Sequence, residues 1–99
     1  MYYSLILTWI LSYSEIFVKF AEDPKNLLIV DIISTLKKLS REKLTRIGLK
    51  IMRNLSKSQN CVSLMIDNNL ITFITMEMRK NIKDEQMKEN MDFLINKME

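Results

Sequence analysis

The sequence predicts an all-α fold, and three observations support this class. Glycine and proline occur once each, as Gly48 and Pro24, which leaves too few turn residues for a β-sandwich, a barrel or a βαβ unit. Apolar residues between Leu44 and Leu55 recur at intervals of 3, 1, 3, 1 and 3, the spacing of one helical face. With 47% apolar residues in 99, the chain can form one small domain with its own core.

The first helix is predicted over residues 2–12, the most hydrophobic part of the chain. This segment lacks a basic start and a cleavage site and is too short to span ~30 Å of hydrocarbon, so we interpret it as a core helix. Leu5, Trp9 and Ser12 share one side, and further apolar residues widen the face, which predicts burial between neighbours. Because the chain begins inside an apolar stretch, we expect a fragment of a longer protein whose preceding part covers this surface.

The next two helices are predicted from their capping residues. Ser14 is expected to cap a short helix that runs through Phe20. Asp23 followed by Pro24 predicts an N-cap with proline at the first helical position, so another helix is expected to begin there and to continue to Leu39. Its residues are apolar nearly all round, which is typical of a helix at the centre of a packed group.

The second half of the chain predicts four more elements. Ser40 is expected to open the clearest amphipathic helix, in which Gly48 is explained by close approach of a neighbouring helix. A polar break at 56–60 precedes a short helix over 61–66, a turn over 67–69 and a helix over 70–80. Asp84 is expected to cap the last helix, whose core stripe comprises Met87, Met91, Leu94, Ile95 and Met98.

Similar landmarks recur at a nearly constant separation along the chain. Leu27 and Leu70 are 43 residues apart, and the capping residues Ser40 and Asp84 are 44 apart. A period of ~40 to 47 residues is typical of armadillo and HEAT repeats, so we predict a right-handed helical solenoid. Its approximate units are 14–56 and 58–99, with helix 2–12 left over from a preceding repeat. Because landmarks rather than residues recur, another helical bundle with similar loops would give the same pattern.

The composition excludes most catalytic and cofactor chemistry. There is no histidine and only one cysteine, Cys61, so the commonest general base and a cysteine-rich zinc site are absent. A single glycine excludes the glycine-rich phosphate loops of nucleotide-binding folds. The acids Asp84, Glu85, Glu89 and Asp92 are better explained by the dipole of a helix start than by a metal. We therefore predict a non-enzymatic protein without cofactor or metal, and a buried Cys61 thiol in a reducing compartment.

Basic residues are concentrated in the middle of the chain. The net charge is +3, but residues 37–57 carry eight Lys or Arg and one acid, whereas residues 84–99 carry five acids and two lysines. Lys43, Arg46, Lys50, Arg53 and Lys57 repeat at 3, 4, 3 and 4, so they form one stripe opposite the apolar face.

This stripe is a candidate face for binding a protein with an acidic surface. Asn54 is added because an asparagine there can hydrogen-bond the extended backbone of a partner. The alternatives are a merely solvated face, Arg53 and Asn54 bonding only to the adjacent repeat, and nucleic acid, which the lack of interleaved aromatic residues disfavours. The predicted partner-binding residues are Lys43, Arg46, Lys50, Arg53 and Asn54.

Three segments together resemble a known family. They are LTWILSYSEI at 7–16, REKLTRIGLKIMRNL at 41–55 and DEQMKENMDFLINKM at 84–98. In order and spacing they are similar to the end of the N-terminal helical domain of the regulatory H subunit of V-type proton ATPases. Asn90 departs from the pattern, since an acid is usual there.

The resemblance implies a function as well as a fold. Members of this family are non-catalytic regulatory subunits that link the catalytic head of the pump to its stator stalk and to the membrane sector, and they support ATP-driven proton transport. It implies a peripheral location on the cytoplasmic side of vacuolar or other internal membranes, with no cofactor and no nucleic acid. The alternative is a general armadillo-type adaptor between proteins, such as a fragment of a transport receptor.

Overall fold

Helices account for most of the residues that the structure describes. A computed structural model of the chain describes residues 2–23, 25, 27–38, 42–75 and 84–99, and within these ranges there is no β-strand. The all-α prediction is confirmed. The helices are α1 (Tyr2–Leu11), α2 (Glu15–Glu22), α3 (Leu28–Lys38), α4 (Glu42–Leu55), α5 (Gln59–Asp67), α6 (Leu70–Phe73) and α7 (Glu85–Met98).

The predicted start of α3 is wrong by four residues. The carboxylate of Asp23 accepts a hydrogen bond from the backbone N–H of Lys25 at 2.9 Å, so it caps a tight turn and not a long helix. Leu27 then adopts a left-handed conformation with φ 58°, which no α-helix accommodates. Consequently α3 begins only at Leu28.

Other predicted element boundaries differ by smaller amounts. α2 continues past Phe20 to Glu22, and α5 begins at Gln59 because Ser58 Oγ accepts the N–H of Cys61 at 3.3 Å. The cap of α7 is confirmed, since Asp84 Oδ1 accepts the N–H of Gln86 at 2.8 Å and that of Met87 at 3.4 Å. The predicted cap Ser40, the end of α3 at Leu39 and the continuation of α6 over 76–80 lie outside the described residues.

The helices pack as a row of three with a second group behind it. α4 packs against α1 on one flank and against α7 on the other, while α5 packs against α2, α3, α6 and α7. α3 also packs against α4 and so connects the two groups. The starts of α1, α4 and α7 are Tyr2, Glu42 and Glu85, so the row is built from helices that recur about every 40 residues along the chain.

The core lies between this row and the second group. Six apolar residues of α4 are buried, and Met87, Met91 and Leu94 of α7 belong to the same cluster. The six are Leu44, Ile47, Leu49, Ile51, Met52 and Leu55. A β-carbon on Gly48 would lie 2.6 Å from Leu36 Cδ2 of α3. The prediction that a neighbouring helix approaches this glycine closely is therefore confirmed, with Leu36 as the approaching residue.

The described part of the chain contains no single helix that is long and apolar enough to cross a membrane. Segments Tyr3–Leu11 and Glu15–Glu22 meet the length and composition criteria only together, and they are bent by 109° at the break between them.

Candidate interaction surface

The polar side of α4 has a central line of lysines with a flank on either side. Successive residues of an α-helix are rotated by about 100°, so Lys43 and Lys50, seven apart, lie nearly in line. Arg46 and Arg53 are displaced toward one side of this line and Asn54 toward the other. The direction of each displacement decides which neighbouring helix the side chain meets.

On one flank, both arginines contact α7 or its cap. Arg46 Nη2 lies 2.9 Å from Asp84 Oδ2. Arg53 Nη1 donates a 2.8 Å hydrogen bond to Asn90 Oδ1 and lies 3.8 Å from Glu89 Oε1. Asn90 is only 2% exposed, so a hydrogen bond to its amide is worth more than a solvent-exposed ion pair.

On the other flank, α4 is bonded to α1. Asn54 Nδ2 donates to Ser12 Oγ at 2.8 Å, and the Ser12 hydroxyl in turn donates to the carbonyl of Trp9 at 2.5 Å. Ser12 is fully buried. The Nζ of Lys50 lies 4.7 Å from the centre of the Trp9 ring, within the range of a cation–π interaction.

Aromatic side chains from both neighbouring helices lie beside the basic residues of α4. Arg53 Cζ is 4.3 Å from the centre of the Phe93 ring, and Lys97 Nζ is 5.9 Å from the same ring. These contacts form a line across α1, α4 and α7, which we call the cation–aromatic row: Trp9, Lys50, Arg53, Phe93 and Lys97. The aromatic residues that are absent from α4 itself are thus supplied by α1 and α7.

The structure places the five predicted partner-binding residues on one surface but gives them different surroundings. Arg46, Arg53 and Asn54 contact neighbouring helices or the cap of α7. For Arg53 and Asn54, such contacts are what the alternative of bonding to the adjacent repeat predicts. Lys50 is half-buried over Trp9, and Lys43 is exposed. Binding of a partner by these residues stays a prediction. Sequence reasoning missed Trp9, Phe93 and Lys97 because their proximity to α4 depends on how the helices pack.

The other two groups considered in the sequence analysis, the acidic residues at the start of α7 and Cys61, make contacts within the fold. Within the described ranges no three potential metal ligands lie together; Asp84 caps α7 and pairs with Arg46. Cys61 is buried, and its Sγ lies 3.8 Å from the carbonyl oxygen of Val18. Burial raises the pKa of the Cys61 thiol above its ordinary value of 9.0, which keeps the thiol protonated and unreactive at neutral pH.

Comparison with known families identifies the family of this chain. A family model for the N-terminal domain of the V-ATPase H subunit matches residues 1–98. The chain belongs to the V-ATPase H-subunit family. The resemblance seen in the three sequence segments is therefore confirmed. No curated protein and no solved structure matches the chain.

Membership of the H-subunit family has general consequences for function. The family is a non-catalytic regulatory component of the V-ATPase, in its peripheral soluble sector, and it associates with other V-ATPase subunits.

Proposed function

We propose that this chain is a regulatory and structural part of a vacuolar-type proton-transporting ATPase, in which it links the catalytic head to the stator stalk and supports ATP-driven proton transport. The supporting observation is the match of the H-subunit family over residues 1–98. In this proposal the chain lies on the cytoplasmic side of vacuolar or other internal membranes, bound through the complex, and also contacts the membrane-sector subunit.

We further propose that the helices belong to a right-handed armadillo/HEAT-type solenoid. Its units are 14–56 and 58–99, and α1 is the last helix of a preceding unit. The row of α1, α4 and α7 supports this proposal, because in armadillo solenoids the third helices of successive units line one continuous surface. That surface is where a partner segment has access to several units at once.

The proposed contact surface is the polar side of α4, with Lys43, Arg46, Lys50, Arg53 and Asn54. The contacts of these residues suggest two different contributions. Arg53 and Asn54 hold α4 against its neighbours, so their replacement affects binding through the shape of the surface. Lys43 and Lys50 carry charges that the described acidic residues do not neutralise by ion pairs, so they contribute directly to attraction of an acidic partner.

The experiment that tests this function is a pull-down of the tagged, full-length protein from cytosol and from membranes of its own cells. Bound proteins are identified by mass spectrometry. Recovery of the catalytic and stator subunits of the V-ATPase is the expected result. Recovery of transport cargo or nucleic acid without pump subunits would contradict the proposal and would favour the general adaptor.

A charge-reversal variant connects the proposed function to the proposed surface. Lys50→Glu is preferred to Arg53→Glu, because Arg53 also bonds to the buried Asn90 and its loss destabilises the chain. We expect Lys50→Glu to reduce recovery of pump subunits while the circular dichroism spectrum stays unchanged. Unchanged recovery would show that the polar side of α4 does not take part in assembly.

A further inference from the structure

We propose that the cation–aromatic row binds an extended acidic segment of a partner polypeptide. This rests on the proposed function, because it names the kind of partner that the polar surface takes. The row crosses all three helices, from Trp9 on α1 through Lys50 and Arg53 on α4 to Phe93 and Lys97 on α7. A segment lying along it crosses the helices and does not run parallel to α4.

The charges along the row attract an acidic partner. Arg46 is paired with Asp84 and Arg53 with Glu89. In contrast, no described carboxylate forms an ion pair with Lys50 or Lys97, which interact only with aromatic rings in the contacts described above. A cation over a ring keeps its full charge. Among the basic residues Arg46, Lys50, Arg53 and Lys97, the two without an ion pair to a described carboxylate are therefore Lys50 and Lys97.

The spacing of the helices indicates an extended segment. Packed helix axes are about 8–10 Å apart, and a chain in the polyproline II conformation advances about 3.1 Å per residue with three residues per turn. Three residues of such an extended partner therefore reach from one helix to the next, and side chains three positions apart lie on the same face. Acidic side chains three positions apart would face Lys50 on α4 and Lys97 on α7, and the residue three positions before the first of them would lie near Trp9 on α1.

The same row disfavours single-stranded nucleic acid as the occupant. Bases bind such proteins by stacking on open aromatic faces. Here Lys50 lies 4.7 Å above the Trp9 ring and Arg53 lies 4.3 Å from the centre of the Phe93 ring. The cations occupy the faces on which bases would stack, whereas carboxylates reach the cations without moving them.

The test measures, by fluorescence anisotropy, binding of a fluorescein-labelled peptide to the full-length protein. The peptide has glutamate at every third position, and the positions between are glycine and serine. A peptide with lysine in place of glutamate is the first control. We expect the acidic peptide to bind and the basic peptide not to bind. We expect Lys50→Glu and Lys97→Glu each to weaken binding of the acidic peptide about tenfold, because each variant removes an attraction and adds a repulsion.

Lys19→Glu is the matched control variant, since it makes the same charge change at an exposed lysine of α2. It should weaken binding less than threefold, because α2 contributes no residue to the row. Lys50→Gln and Lys97→Gln give a second pair of variants if a glutamate unfolds the chain. Equal losses for Lys19→Glu and Lys50→Glu, no binding of the acidic peptide, or tighter binding of a single-stranded oligonucleotide would each overturn the proposal.

The outcomes separate this inference from the proposed function. Recovery of V-ATPase subunits in the pull-down together with no binding of the acidic peptide would leave the function intact and reject the row as an acidic-segment site. Binding of the peptide with the expected variant pattern, without recovery of pump subunits, would support the row and reject the function.

Discussion

Replacement of Arg53 by alanine should destabilise the protein much more than replacement of any exposed lysine of α4. The variant loses a 2.8 Å hydrogen bond to Asn90, which is 2% exposed. A hydrogen bond from a charged donor contributes ~1.5–3 kcal/mol, and the contact with Phe93 adds ~0.5–1 kcal/mol. The ion pair with Glu89 adds little, since Glu89 is 65% exposed and the atoms are 3.8 Å apart.

These contributions together lower the free energy of unfolding by about 2–4 kcal/mol in the Arg53→Ala variant. In a domain of this size that corresponds to a decrease in Tm of about 8–30 °C. The assay is urea denaturation and thermal unfolding followed by circular dichroism at 222 nm. Arg53→Lys should lie between wild type and Arg53→Ala, since lysine keeps the charge but not the planar fork.

Lys57→Ala is the matched control and should change stability by less than about 0.5 kcal/mol. A double-mutant cycle with Asn90→Ala isolates the hydrogen bond, and the coupling should be at least about 1 kcal/mol. An Arg53→Ala variant as stable as Lys57→Ala, or the absence of coupling with Asn90, would refute the conclusion that Arg53 joins α4 to α7.

Three further outcomes follow from the packing, the cap and the thiol. Gly48→Ala should lower stability by up to about 2 kcal/mol in urea denaturation, since overpacking against the buried Leu36 outweighs the ~1 kcal/mol gain in helix propensity. In the Gly48→Ala background, Leu36→Ala should then lower the free energy of unfolding by less than it does in wild type. Additive losses in the double variant would contradict the clash. Asp84→Ala should cost about 1–2 kcal/mol by removing the α7 cap and the Arg46 pair, whereas Asp84→Asn should stay within about 1 kcal/mol of wild type; equal losses in the two variants by thermal unfolding would exclude a capping role. Burial raises the pKa of Cys61 above 9.0, so the thiol contributes stability that is complete below pH 9 and is lost as the pH rises through its folded-state pKa. Wild type should therefore lose stability with pH more steeply than Cys61→Ala, by at most about 1.4 kcal/mol per pH unit. Parallel pH profiles of the two proteins would contradict this.

The sequence predicted the helices best where periodicity and caps agree. The apolar intervals between Leu44 and Leu55 correspond to the buried face of α4, and Asp84 caps α7 as expected. The predicted start of α3 was wrong because Asp23 followed by Pro24 is a sequence pattern typical of a helix start, whereas α3 begins at Leu28. The left-handed conformation of Leu27 depends on the connection between α2 and α3, and leucine gives no local signal for it.

The candidate surface was predicted only in part, for a different reason. The basic stripe follows from the sequence because it needs only the helical period. The division of that stripe into bonded arginines and lysines next to aromatic rings depends on α1 and α7. Trp9 and Lys50 are 41 residues apart, and Arg53 and Phe93 are 40 apart, so only the period of the repeat could have suggested these pairs.

The most direct test of the central claim is quantitative recovery of V-ATPase subunits with the tagged protein and two variants of equal charge. We expect wild type and Lys19→Glu to recover the catalytic and stator subunits equally, and Lys50→Glu to recover several-fold less at equal protein abundance. Failure of wild type to recover any pump subunit would contradict the assignment to the V-ATPase. Equal recovery by all three proteins would contradict the role of the α4 surface in assembly.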